Sequence, residues 1–257
     1  MSGNSTIQSL LRGLEILSVF TREKPELRLK EIVAAIGLAP STTHRLLRTL
    51  EQMDYIVQSP ENGKYRLGAR SFIIGANVVT INRFVEVSLP YIAKLTAKFN
   101  VTTHMAVEQN NRVLCIEKID PPHSIQNAKT PPRGTSHPFH LTAGGKSILA
   151  YSSPKRQQEL IRTIKFVPVT PNSIVSIDKL LEELERVRLQ GYSLNACESA
   201  QDIFCFATPI LQKNGLPIGS ISVSVDSPSY PDYAKEIIHD LKNYTNAIEE
   251  SLNQIKL

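Results

Sequence analysis

The sequence L-K-E-I-V-A-A-I-G-L-A-P-S-T-T-H-R-L-L-R-T-L-E-Q-M-D-Y-I-V, from Leu29 to Val57, decides the fold of the amino-terminal part of the chain. At its start, apolar side chains recur at positions i, i+3, i+4 and i+7, which is typical of one face of a short amphipathic helix. These side chains are Leu29, Ile32, Val33 and Ile36. Gly37 then favours a turn out of the helix, because glycine readily adopts the left-handed conformation found at helix ends.

A second helix is predicted directly after this turn. Pro40 suits its first turn, where a missing N–H is not needed, and the hydroxyls of Ser41 and Thr42 can bond to free amides there. The apolar face consists of Thr43, Leu46, Leu47, Leu50 and Met53. The opposite face carries Ser41, Thr42, Arg45, Arg48 and Thr49. Two short helices joined by a tight turn, with arginines outward on the second, indicate a helix-turn-helix.

A basic β-hairpin follows the helix pair. Two short segments, the apolar 55–57 and the alternating basic and apolar 64–67, flank the turn Pro60-Glu61-Asn62-Gly63, and Asn-Gly is a strong hairpin signal. An apolar stripe at helical spacing predicts a further helix over residues 5–21, packed behind the pair. Helix, pair and hairpin together predict a winged helix-turn-helix over residues 1–68. The alternative is that the helices and hairpin are purely structural.

These segments resemble the IclR-type bacterial transcriptional regulators. The resemblance rests on S-L-L-R-G-L-E-I-L at 9–17, G-L-A-P-S-T-T-H-R-L-L-R-T-L at 37–50 and Y-R-L-G at 65–68. It continues with H-L-T-A-G-G-K-S-I-L-A at 140–150 and C-F-A-T-P-I at 205–210. The resemblance implies a winged helix followed by an α+β effector domain that resembles the GAF fold, and a dimer or tetramer.

Double-stranded DNA is the partner expected for the first domain. The residues expected to contact it are Ser41, Thr42, Thr43, His44, Arg45, Arg48, Lys64, Arg66 and Arg12. Arg45 is expected to reach a base edge or a phosphate from the major groove, and the wing residues to contact the backbone. Arg12 touches a phosphate in one interpretation and is simply solvated in the other. A dimer would read a roughly palindromic operator.

Length and composition favour two domains in the cytoplasm. The chain has 257 residues, a net charge of +5 and 41% hydrophobic residues, so it can form real cores and tolerates an anionic partner. Its three cysteines are not arranged as C-x-x-C, which argues against a disulfide framework or a cysteine-rich zinc site. No signal peptide and no membrane-spanning run is recognised. The apolar connector at 69–87 predicts a linker helix that is buried against a second chain.

The second domain, residues 88–257, mixes helices and strands. Pro90 is expected to open a helix, and alternating patterns predict strands at 101–108, 112–119, 192–197, 204–212 and 217–225. A loop at 120–139 could contain one strand at 124–129. Further helices are predicted from Ala143, at 154–164, at 178–190 and at the carboxyl end. Several strands form hairpins, so the sheet should be largely antiparallel.

The effector site is predicted between a helix start and two strands. Gly144-Gly145-Lys146-Ser147 fails as a P-loop, because His140 stands where that pattern needs glycine. A helix start can nevertheless bind an anion through free amides. Ser220, Ser222 and Ser224 alternate with apolar residues, so they share one strand face, either solvated or lining a pocket.

The resemblance assigns the effector contacts, and the expected effector is a hydroxylated acid or a sugar derivative. These residues are Thr142, Ala143, Gly144, Asn195, Cys205, Ser222 and Ser224. Asp202 stands where the family usually has glycine, which puts the local turn in doubt and could place a carboxylate beside the ligand.

The sequence thus predicts an effector-controlled transcriptional regulator, expected to repress a catabolic operon. No cofactor, metal or catalytic residue is expected. His137 and His140 could form a metal pair only on a helix, which Pro138 disfavours. Two alternatives stay open: a metabolite-handling enzyme that uses the second domain, and a DNA-binding protein without a ligand.

Overall fold

The computed structural model describes residues 6–21, 23–122, 130–226 and 230–254. The chain forms two compact units, Met1–Val79 and Thr80–Leu257, and each is described by itself. The predicted strand at 124–129 lies outside the described residues.

The first unit is a winged helix-turn-helix, as the sequence predicts. Its helices are α1 (Gln8–Ser18), α2 (Leu29–Ile36) and α3 (Pro40–Gln52), and its strands are β1 (Glu26–Leu27), β2 (Ile56–Gln58) and β3 (Tyr65–Leu67). The first helix is shorter than the predicted span of 5–21. Strand β1 escaped prediction because it has only two residues, and it pairs with β3 to give the sheet order β1-β3-β2.

The core of this unit is built from the apolar faces that the sequence pattern indicates. Gly37 ends α2 with φ of +67°, the left-handed conformation for which glycine is suited. The buried side chains are Ile16, Phe20, Leu27, Ile32, Leu47, Ile56 and Tyr65. Burying these faces fixes α2 and α3 against each other and leaves the polar face of α3 exposed.

The connector differs from the single linker helix predicted at 69–87. It contains α4 (Ala69–Ala76), which belongs to the first unit, and the start of α5 (Val79–Phe99). At the end of helix α4, the side-chain amide of Asn77 donates a hydrogen bond to the backbone carbonyl of Ile73. Pro90 lies inside α5 and does not open a helix. Pro90 has no N–H, so the carbonyl of Glu86, four residues earlier, lacks its helical donor. This side of the helix is exposed, and water can bond to that carbonyl.

The second unit is an α+β domain on an antiparallel sheet of six strands. The strands are β4 (Thr102–Gln109), β5 (Arg112–Ile119), β6 (Ser136–His137), β7 (Ser193–Ala196), β8 (Ile203–Leu211) and β9 (Pro217–Asp226). Their order is β6-β5-β4-β9-β8-β7. The remaining helices are α6 (Ala143–Tyr151), α7 (Pro154–Thr163), α8 (Ile177–Gln190) and α9 (Tyr230–Gln254).

The two faces of this sheet have different partners. Apolar residues of β9, such as Ile221 and Val223, share a core with α5 and α9. The other face lies against α6, which packs in turn with α7 and α8 in a second core. The alternation in β9 therefore places Ser220, Ser222 and Ser224 on the α6 side, as the period of two predicts.

Among the described residues, no single helix is long and apolar enough to cross a membrane. Only α4 and α5 taken together reach that length and apolarity.

Candidate functional site

The outer face of α3 presents most of the predicted DNA-contacting side chains to solvent. Ser41, His44, Arg45 and Arg48 are exposed, and Thr42 is half-buried. Within the described parts of the chain, neither arginine has a carboxylate partner, so both guanidinium groups can meet an anion. Placing these groups along one helix face is the arrangement that a major groove requires.

Two expectations for the start of α3 were wrong. Thr43 is fully buried, and its hydroxyl donates to the carbonyl of Ala39, so its predicted place on the apolar face is confirmed and the DNA contact expected of its side chain was wrong. The helix begins after Ala39 without any side-chain cap, so Ser41 and Thr42 do not bond to the amides of the first turn. Those amides are left without intrahelical acceptors and can bind a phosphate.

The wing is a short hairpin with its basic side chains outside. Arg66 is exposed on β3, Lys64 is half-buried, and the side chain of Asn62 accepts from the Lys64 amide at 2.9 Å. Arg12 on α1 lies at the surface, where its guanidinium pairs with Glu15 at 2.7 Å, and both interpretations from the sequence stay open. A phosphate would have to compete with this carboxylate.

In the second unit, a cavity lies between the start of α6 and the serine-bearing face of the sheet. Seven of the eight predicted effector residues line it, namely Thr142, Ala143, Gly144, Asn195, Cys205, Ser222 and Ser224. The space open to the centres of water molecules is about 50 Å³. That is room for roughly three to five waters.

Helix α6 offers hydrogen-bond donors to this cavity. Thr142 is its N-cap, and the threonine hydroxyl accepts from the Gly145 amide at 3.0 Å. The amides of Ala143 and Gly144 occupy the first two helical positions and have no intrahelical acceptor. They and the helix dipole favour a negative group at this end of the cavity.

The glycines of the T-A-G-G-K segment allow the helix to approach the sheet. A Cβ atom at Gly144 would lie 2.6 Å from the Ser220 hydroxyl, and one at Gly145 would lie 2.5 Å from the Phe139 carbonyl. Neither position can hold a side chain without a shift of its neighbours. Close packing is thus one reason for these glycines, and it brings the free amides to the cavity wall.

The sheet side of the cavity is polar but already partly bonded. The Cys205 thiol and the Ser224 hydroxyl are 3.1 Å apart on neighbouring strands. The Asn195 amide donates to the Leu141 carbonyl at 2.7 Å and accepts from the Glu198 amide, so it also holds the wall in place. Burial raises the pKa of Cys205 to about 11 and that of Cys115, which also lines the cavity, to about 12. Both thiols are therefore protonated and unreactive at neutral pH.

Asp202 does not line the cavity, so the expectation of a carboxylate beside the ligand was wrong. Its side chain is exposed in the turn before β8. Its φ of +62° lies in the left-handed region, which explains why glycine suits this position. Aspartate tolerates that conformation better than most residues, so the turn is kept.

The lysine of the G-G-K-S segment binds carboxylates of its own chain. Lys146 is fully buried, and its Nζ lies 2.7 and 2.8 Å from the two oxygens of Glu198 and 3.1 Å from Glu183. It also donates to the Leu194 carbonyl. Burial raises the pKa of Glu198, while the adjacent ammonium acts in the opposite direction. The sequence pattern singled out the lysine, but it could not identify the two carboxylates, because they lie 37 and 52 residues further along the chain.

Two histidines in the cavity wall were not among the predicted effector contacts. His104 on β4 is 5% exposed, and burial lowers its pKa to about 3. His137 is half-buried, its Nε2 lies 2.8 Å from the Thr135 hydroxyl, and burial lowers its pKa as well. Alternation in β4 hinted at His104, but only strand pairing reveals that it lies beside Ser222.

The other histidine of the H-x-x-H pattern has different surroundings. His140 is fully buried, stacks on Phe166 with ring centroids 5.0 Å apart, and does not line the cavity. Within the described ranges, no group of three or more His, Cys, Asp or Glu residues could hold a metal ion.

An exposed basic recognition helix with a wing, and a separate domain with a small cavity, are the features of a ligand-binding DNA regulator. Comparison with known proteins specifies the family. Residues 76–250 match the family described as bacterial transcriptional regulator IclR C-terminal, and residues 9–60 match the IclR helix-turn-helix domain. The chain belongs to the IclR family of transcriptional regulators, and it is not an enzyme.

Characterised relatives cover most of the chain. It is 32% identical over 218 residues to the HTH-type transcriptional regulator XynR of Escherichia coli, covering 85% of this chain and 86% of that protein. It is 29% identical to the transcriptional repressor IclR of the same organism, covering 85% and 80%. The fold is similar to that of an IclR homolog from Microbacterium hydrocarbonoxydans, with a TM-score of 0.84 and 21% identity, covering 95% and 98%.

The buried lysine gives a prediction about stability. Lys146→Met should destabilise the second unit by about 3–5 kcal/mol, because the buried Glu198 loses its cation and Glu183 keeps only the exposed Arg186. This corresponds to a fall in Tm of roughly 10 °C by calorimetry. Lys213→Met, at an exposed position, is the control and should shift Tm by less than about 1 °C. Equal Tm values for the two variants would show that the buried pair contributes nothing.

Proposed function

We propose that this protein represses a catabolic operon and releases its operator when a small hydroxylated acid or sugar derivative binds in the second unit. The observation that carries the proposal is the cavity at the start of α6, which combines free backbone amides with a sheet face bearing hydroxyl groups.

The charge of the cavity wall supports an acid as the effector. Among the described residues, neither a carboxylate nor an ammonium group lines the cavity. Its two histidines have lowered pKa values and are neutral at pH 7. The α6 dipole and the amides of Ala143 and Gly144 therefore dominate the local potential, and both favour an anion. With Asp202 outside, no lining carboxylate opposes a ligand carboxylate.

The size of the site sets how much of the effector is enclosed. The inner space of about 50 Å³ suits a carboxylate and its neighbouring hydroxyl-bearing carbon. An outer groove of about 510 Å³, measured in the same way, shares Pro131, His137, Thr142 and Ser199 with the cavity wall. The rest of a sugar acid fits in this groove, where Arg112 and Lys165 add positive charge.

The relatives support both halves of the proposal. One of them is named as a transcriptional repressor, and the structural neighbour from Microbacterium hydrocarbonoxydans was crystallised with 4-hydroxybenzoate, a hydroxylated acid. These facts describe the relatives. For this chain they favour repression and an acid effector.

DNA binding is the property of the helix-turn-helix family, and we assign the contacts to the exposed face of α3 and the wing. Arg45 and Arg48 face the major groove, and Lys64 and Arg66 face the phosphate backbone. A homodimer, able to assemble further into a tetramer, places two such surfaces on a roughly palindromic operator. The protein would act in the cytoplasm, where the operator is.

The first prediction from this proposal concerns recognition of the operator DNA sequence. Arg45→Ala should cost about 1–3 kcal/mol of operator affinity and relax specificity at one position, because a bidentate arginine–guanine contact is lost. Lys64→Ala should weaken binding to all DNA sequences alike, and it should reduce the slope of log affinity against log salt concentration by about 1. Lys155→Ala, an exposed charge of the second unit, is the matched control. Gel-shift titrations at fixed salt measure all three, and unchanged affinity of Arg45→Ala contradicts the assignment.

The second prediction concerns the effector. A thermal-shift screen of the full chain against organic and sugar acids identifies a ligand, and calorimetry then compares variants. The double variant Ser222→Ala, Ser224→Ala should bind it about thirtyfold more weakly, since each of the two lost hydrogen bonds contributes about 1 kcal/mol. DNA affinity without ligand should be unchanged. Ser152→Ala, whose hydroxyl bonds to the Ile148 carbonyl outside the cavity, is the control. Unaltered ligand affinity of the double variant removes these strands from the site.

The third prediction concerns assembly. Phe72, Val78 and Val79 of the connector are 78%, 44% and 64% exposed, and burying them against a second chain is strongly favourable. The protein should therefore be at least dimeric at micromolar concentration in analytical ultracentrifugation. Phe72→Glu should shift it towards monomer, whereas Leu189→Glu, at an equally exposed apolar position on α8, should leave the dimer intact. A wild-type monomer would refute this interface.

A further inference from the structure

A buried imidazole in the wall of the cavity has one ring nitrogen, Nε2, without a hydrogen-bond partner among the described residues. His104 lies on β4 directly beside Ser222 of β9, and it lines the cavity. Its Nε2 atom is buried and forms no hydrogen bond with any described residue. Buried polar atoms in native proteins are nearly always bonded, and an unbonded one destabilises the fold. Because His104 also lines the cavity, a ligand bound there can supply the partner that its Nε2 lacks among the described residues.

The chemistry of this imidazole limits what that group can be. Burial, and to a lesser degree the nearby Lys118, lower the pKa of His104 to about 3, so the ring is neutral at pH 7. A neutral imidazole offers one donor and one acceptor but no charge. A hydroxyl group can satisfy either nitrogen, whereas a second carboxylate would enter a site without a lining cation.

We propose that His104 determines the specificity of the cavity, by bonding to a hydroxyl group of an effector that carries a single carboxylate. This inference rests on the proposed acid site at α6 and refines its ligand class. The Ala143 and Gly144 amides bind the carboxylate, and His104 distinguishes a hydroxy acid from the same acid without the hydroxyl.

His140 provides a contrast within the same chain. It is also fully buried, and both of its ring nitrogens lack partners among the described residues, but it does not line the cavity. Its substitution tests whether a buried, unbonded histidine affects ligand selection without reaching the ligand. His140→Phe keeps an aromatic ring against Phe166 and removes both nitrogens.

The test uses pairs of acids that differ by one hydroxyl: lactate with propionate, and 4-hydroxybenzoate with benzoate. Calorimetry on the full chain should show at least about tenfold preference for the hydroxylated member of a pair. His104→Leu should lose this preference. His104→Gln should retain most of it, because the glutamine amide supplies a hydrogen-bond donor and an acceptor in place of the ring nitrogens. His140→Phe should select as the wild type does. Succinate, with two carboxylates, should bind at least about tenfold more weakly than the preferred hydroxy acid.

The outcomes separate this inference from the function on which it rests. If His104→Leu keeps the wild-type preference, or if the wild type binds both members of a pair equally, the role of His104 is refuted and the acid site remains. If the wild type binds neither these acids nor any acid of the thermal-shift screen, the acid site itself is refuted and the inference with it.

A measurement on the wild type protects the test against a variant that fails to fold. With ¹⁵N-labelled histidine, the ring signals of the six histidines can be followed by NMR, and that of His104 is identified by its absence in His104→Gln. The preferred hydroxy acid should shift the His104 Nε2 resonance, and its partner acid should not. An unmoved resonance overturns the proposal.

Discussion

A single buried ammonium group holds together the functional end of the second unit. Lys146 projects from α6 and meets Glu198, in the connection between β7 and β8, and Glu183 on α8. Removing Lys146 would leave Glu198 buried without a cation, which costs several kcal/mol, whereas Glu183 would keep its pair with Arg186 at 2.7 Å. The helix, the connection and α8 must therefore keep their places together, and the cavity wall is built on two of these three segments.

Close packing complements this charge pairing. Gly144 and Gly145 have no room for a side chain, so α6 lies close against the sheet. The next residue, Lys146, bonds to the Leu194 carbonyl of β7 and to Glu198. Ser193 and Ser147 add hydrogen bonds between the same two layers. As a result, the amides at the start of α6 lie close to the sheet surface, and the cavity that we propose as the effector site is formed without a ligand.

The neutral character of the cavity follows from burial. Thiols and imidazoles that would titrate near neutral pH in water have their pKa values moved away from it, upward for Cys115 and Cys205 and downward for His104. Each shift favours the uncharged form. The helix amides are then the principal source of positive potential, which favours binding of an anion over chemical reaction with it.

Local patterns in the sequence determined the winged helix, because helix faces, the Gly37 turn and the Asn62-Gly63 hairpin depend on neighbouring residues. Alternation likewise determined that Ser222 and Ser224 share one face. Tertiary structure alone decided which distant residues meet. The pairing of β4 with β9 brings His104 to Ser222 across 118 positions, the Lys146 partners come from two other segments, and Asp202 is turned to solvent. Periodicity specifies the face of an element, whereas contacts between elements depend on strand order and packing, which no local pattern encodes.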